Sequence, residues 1–132
     1  MELEQWSGGN GLRSGREAGW WGTCNCGKTD PAHTDAHIEL VLHSGDAGRQ
    51  SVVAEVTPRM RAIVETSRTD WSTKTLRKQL LHKWVKVQGW MMFDRQHANA
   101  AENTNPGGAS NWRATAWEVH PITDIQIVPA PH

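Results

Sequence analysis

Only two cysteines occur in this 132-residue chain, Cys24 and Cys26, with a single residue between them. Two are too few to staple a fold, and their spacing is awkward for a mutual disulfide, so reduced thiols or metal ligands are expected. Tyrosine is absent and phenylalanine occurs once, yet there are eight tryptophans. Large flat side chains are therefore used selectively, for a core, for ligand stacking, or for both. Neither sign of charge is in excess, because fourteen Lys and Arg balance fourteen Asp and Glu. That balance excludes a global field able to draw in a polyanion or an acidic membrane surface, and any nucleic-acid binding must be local. No apolar run approaches the roughly twenty residues that a spanning helix needs. The beginning, with Glu2 and Glu4, has no apolar signal-like region, so a cytoplasmic location is the default expectation. Nucleophile elbow, phosphate-binding loop, dinucleotide fingerprint and His-Glu-x-x-His helix are all missing, which removes the usual nucleotide-cofactor and zinc-protease readings.

What is present fits one core. A chain of this length buries roughly two-thirds of its unfolded surface as a single domain. Residues 1–19 are rich in Gly and lack periodicity, and read as a flexible leader ahead of a single β domain over 20–132. Trp20 and Trp21 suggest a short first strand. His37 to His43 alternates, with Ile38, Leu40 and Leu42 on one face and His37, Glu39, Val41 and His43 on the other. Ser44-Gly45-Asp46-Ala47-Gly48 turns into a Val-rich strand over 51–57 stopped by Pro58, so a hairpin is expected. Met60, Ile63 and Val64 continue the apolar pattern without declaring its type. Asp70 or Ser72 caps a helix to about His82, with Leu76, Leu80 and Leu81 inward. Residues 84–94 alternate again, Val85, Val87, Gly89, Met91 and Phe93 inward, Trp90 and Met92 outward. A polar stretch over 95–111 precedes another alternating run, 112–120, which Pro121 bends into a last strand, 124–128.

The succession predicts a mostly β (α+β) fold, a small five-stranded OB-like barrel with one helix between strands 3 and 4, although a β-sandwich or another α+β roll shares that order. The stretches Asn111-Trp112-Arg113-Ala114-Thr115-Ala116-Trp117-Glu118-Val119-His120-Pro121 and Glu55-Val56-Thr57-Pro58-Arg59 resemble stretches in small uncharacterised bacterial β-barrel proteins. The resemblance spans about 24–128 and implies a fold, with no activity attached. In such a barrel, segments 24–37 and 95–111 would be the two loops of one ligand-binding mouth.

Cys24, Cys26, His33 and His37 form a ligand set suited to a divalent transition metal, zinc above all, with Asp35 as a partner orienting a His ring. The Cys-x-Cys spacing is tighter than the usual knuckle, and small apolar packing of both thiols is the competing reading. His37, Glu39 and Glu55 would share one surface if the hairpin pairs as expected. His37, Glu55 and His97 could then hold a metal or move protons in metal-assisted hydrolysis, or simply pair charges on a wet face. Trp90, Arg95, Asn103, Asn105 and Arg113 offer stacking, amide and guanidinium groups for sugars or bases, unless Asn and Gly there only supply turn conformations. Glu118 and His120 look catalytic. With Trp112 opposite Asp94 in a hairpin, however, His120 would lie about 26 Å away at strand rise, outside the site.

Two functions follow as expectations. The first is a metal-assisted hydrolase acting on a polar polymer, ester or other small polar molecule. The second is a non-catalytic OB-type module for single-stranded nucleic acid or a glycan. No membrane partner is expected, and oligomeric state is not legible.

Overall fold

The computed structural model describes residues 2–6, 13–14, 30–43, 45–46 and 48–130. Alternation does make β3 (Ala36–Leu40), in which Ala36, Ile38 and Leu40 are buried while His37 and Glu39 face the other way. It pairs antiparallel with β4 (Val52–Val56), from Ala36 opposite Val56 to Leu40 opposite Val52. Residues directly opposite share a face of the sheet. His37 therefore stands against Glu55, and Ile38 against Ala54.

Two helices, not one, follow β4. Thr57 accepts a hydrogen bond from the Met60 amide at 3.2 Å, and Pro58 supplies a preset φ at the first position of α1 (Pro58–Glu65). The apolar continuation through Met60 and Val64 is thus helical, and both residues pack on the core. Ser72 caps α2 (Thr73–Leu80) through the Thr75 amide at 3.3 Å. Leu76 and Leu80, one turn apart, are buried in one cluster with Ile38, Val56, Val85 and Val87. The helices thereby close one face of the sheet and leave the His37–Glu55 face to other coverage.

β5 (Trp84–Phe93) and β6 (Trp117–Ile127) pair antiparallel, Val85 opposite Ile127 and Phe93 opposite Trp117, with register shifts on both sides of Gly89. β6 is one strand running through Pro121, after a cis His120–Pro121 bond, where a bend and a separate last strand were expected. It also lies parallel to β4, with Ala54 opposite Val119. β5, β6, β4 and β3 make a mixed four-stranded centre. β1 (Glu2–Trp6) flanks it beside β5, and β2 (Arg13–Ser14) beside β3. Both outer strands lie in the segment read as a leader, whereas the expected strand at 20–23 lies outside the described residues. The fold is mostly β with α helices, as the sequence implies, but among the described residues the sheet is open: β1 and β2 are its two edges and do not pair. Among the described residues no helix is long and apolar enough to cross a membrane.

The long connection between β5 and β6 is folded upon itself. Asp94 accepts from the amides of Gln96 and His97 at 3.1 and 3.3 Å, capping the 3-10 turn Arg95–Ala100. Ala101 bridges Arg113, and the Ala114 amide donates to the Ser51 carbonyl at 2.8 Å. The expected strand over 112–120 consequently begins only at Trp117.

Candidate functional site

The parallel pairing of Ala54 with Val119 decides the site. Both neighbours of Val119, Glu118 and His120, then project on the same side of the sheet as Glu55 and His37. Glu55 Oε1 lies 2.7 Å from His37 Nε2, and Glu55 Oε2 lies 3.4 Å from His120 Nδ1. Asp35, buried just before β3, brings its Oδ2 to 3.9 Å from His120 Nε2. One ligand-capable atom each from Asp35, Glu55 and His120 falls within 4.8 Å of the others. Two oxygens and one imidazole nitrogen at that separation could hold a divalent cation.

Electrostatics set the four groups apart. Burial, reinforced by the negative charge of Glu55, raises the pKa of Asp35 against the opposing pull of His120, His37 and Arg61. For Glu55 burial is the strongest influence and acts upward, but the hydrogen bond and charge of His37, with the charge of His120, outweigh it and lower the pKa. Burial likewise presses downward on His37, and Glu55, Glu118 and Asp35 together overcome it and raise the pKa. His120 is raised first of all by its hydrogen bond to Glu118, against its own burial, and then by the charges of Glu55 and Asp35.

A chain of ion pairs extends from this cluster under the long connection. His120 Nδ1 is 3.2 Å from Glu118 Oε1, and Arg113 Nη1 donates to Glu118 Oε2 at 3.1 Å. The second guanidinium nitrogen of Arg113 donates to Asp94 Oδ2 at 2.9 Å, and the same oxygen contacts His97 Nδ1. Arg113 has no solvent exposure, Glu118 has 2% and Asp94 14%. The guanidinium carbon stands 5.2 Å from the centre of the Trp112 ring, which in turn meets His97 edge-on. For Asp94 burial acts upward, but the His97 hydrogen bond and the charge of Arg113 prevail and hold it below the usual carboxylate range.

The sequence-derived candidates separate into groups. His37 and Glu55 are in direct contact and belong to the cluster. His97 sits at the far end of the ion-pair chain. His33 is exposed on a turn, 2.7 Å from Asp30, and apart from His37's contacts. Cys24 and Cys26 lie outside the described residues. Arg113 is enclosed by carboxylates, while Arg95 is exposed. The Asn side chains brace the connection: Asn103 Oδ1 accepts from the Ala116 amide at 2.9 Å, and Asn105 Nδ2 donates to the Asn99 carbonyl at 2.9 Å. Trp90 is 71% exposed. By strand alternation it shares the face of Met92, which stands opposite Glu118.

His120 and Glu118, set aside on an expected separation of about 26 Å, join the cluster. The error lay in the register. Asp94 donates its amide to the Ala116 carbonyl at 2.9 Å, and Phe93 faces Trp117, so residues 112–116 are taken up by the connection instead of by the strand. The signal that was present is the spacing Glu118-x-His120, which places both on one strand face. Nothing local announces their parallel neighbour. No family model, no curated protein and no solved structure matches this chain.

Proposed function

We propose that the protein is a metal-assisted hydrolase whose divalent transition metal, zinc or a close relative, is held by Asp35, Glu55 and His120. The reading rests on one observation, the convergence of three ligand-capable atoms within 4.8 Å at a largely buried place on the sheet. Such an ion would bring a bound water toward neutral pKa and polarise the bond to be cut. His37, with 35% of its side chain exposed against 7% for Glu55, would carry a proton between the cluster and solvent while its hydrogen bond orients Glu55. His97 would act at a distance, through Asp94, by holding the ion-pair chain in place. The substrate would be a polar polymer, an ester or another small polar molecule that approaches the cluster past His37, the most exposed of its four side chains. As-purified protein should carry near-stoichiometric zinc or another transition metal, and Asp35→Asn should weaken its binding by more than about tenfold, in keeping with loss of a direct ligand. Elemental analysis and calorimetric titration measure both. Wild-type protein that stays active after exhaustive chelation would rule the reading out.

A second reading, a non-catalytic module of the OB type for single-stranded nucleic acid or a glycan, is favoured by the exposure of Trp90, at 71%, on the strand face that Met92 and Glu118 share. Exposed rings beside a polar face can stack on bases or sugars. Trp90→Ala should then abolish a ligand-induced change in tryptophan fluorescence while leaving thermal stability nearly unchanged. A response that survives the substitution would place the ligand elsewhere.

A further inference from the structure

We propose that Glu118 is the positioning residue of the metal site, engaging His120 through Nδ1 so that Nε2 is left as the ligand atom. The inference deepens the metal-site reading above and rests on it for the identity of the ligand atom. His120 Nδ1 lies 3.2 Å from Glu118 Oε1, whereas His120 Nε2 lies on the Asp35 side, 3.9 Å from Oδ2. That last separation is too long for a hydrogen bond and suits two ligands that share one ion. Glu55 Oε2 also approaches Nδ1, at 3.4 Å, but Glu55 gives its other oxygen to His37 and belongs to the ligand set itself.

Glu118 is held for this task. Its second oxygen accepts from Arg113, and Arg113 is clamped by Asp94, whose other oxygen caps the turn Arg95–Ala100. The orientation of one imidazole is thereby referred to backbone amides of the long connection. A carboxylate behind a ligating histidine fixes its tautomer and raises its basicity.

Glu118→Gln keeps the shape but has a single acceptor oxygen, so it cannot serve both Arg113 and His120. Titrating Zn²⁺ into metal-free full-length protein should give an affinity about 10- to 100-fold weaker for the variant than for wild type. Equal affinities would overturn the role of Glu118 and leave the metal reading intact. Absence of Zn²⁺ binding by wild type would overturn the metal reading, and the ligand role of Nε2 with it. Nitrogen-15 NMR of metal-free wild type needs no variant to fold. With His120 neutral, the Nδ1–H tautomer is expected, and the Nε2–H tautomer would overturn the proposal.

Discussion

Replacing Arg113 with methionine tests the ion-pair chain at its centre. Arg113 is fully enclosed, and its two terminal nitrogens bond Glu118 and Asp94 at 3.1 and 2.9 Å, carboxylates exposed by only 2% and 14%. Methionine fills much of the volume but leaves two negative groups facing one another without the cation. Removing one partner of a buried pair costs about 3–5 kcal/mol, mostly the penalty of the charge left behind. With a urea dependence of about 2 kcal/mol per molar, the unfolding midpoint at pH 7 should fall by about 1.5–2.5 M. A second arm separates charge from packing. The pKa of Asp94 is lowered in the fold, so its contribution is present above its unfolded value of about 3.9 and is lost as pH falls through the folded value. The gap between wild type and Arg113→Met should therefore narrow toward pH 3. Chemical denaturation followed by tryptophan fluorescence measures both. A midpoint loss below about 0.5 M at pH 7, or a gap that persists unchanged at pH 3, would refute the account.

Two further outcomes follow from the same geometry. His37 has a raised pKa, so its stabilisation is complete below its unfolded value of 6.5 and is lost as pH rises through the folded value. Glu55, lowered, contributes above its unfolded value of 4.5 and loses that contribution as pH falls through the folded value. In chelator-treated protein, thermal melts should decline above pH 6.5, and His37→Gln should decline less, His120 supplying what slope remains; an undiminished slope in the variant would count against the pairing. At Gly89, between the two register shifts, an added Cβ would overlap the Pro121 carbonyl and the Val119 side chain. Gly89→Ala should cost about 1–3 kcal/mol in denaturation and weaken the proposed metal binding through the β6 segment that carries His120. Wild-type stability in that variant would mean that the β5–β6 contact is looser than described.

The elements with a strong local period were legible from residues alone. β3, β4, α2 and β5 stand within a few residues of where alternation, turn chemistry and capping put them, and the contact of His37 with Glu55 follows from the hairpin. α1 was half legible: Met60 and Val64 were seen as apolar, but Thr57 and Pro58 were read as a strand stop and not as a helix start. Residues 112–116 misled because alternation in sequence continues there while the chain is committed to Ser51, Glu102 and Asn103. A period of two reports which face a residue could occupy, not whether a partner strand is present.

By itself, then, the sequence determined the class, mostly β with a helix after the first hairpin, and the face on which His37 and Glu55 meet. Tertiary structure alone decided that the sheet stays open, that β6 lies parallel to β4, and that Asp35, Glu55 and His120 come together with Glu118 behind them. The division has a physical cause. Turns, caps and hairpins are set by neighbours in the chain, whereas the pairing of Ala54 with Val119 joins segments far apart in sequence and depends on how the intervening connection consumes its length.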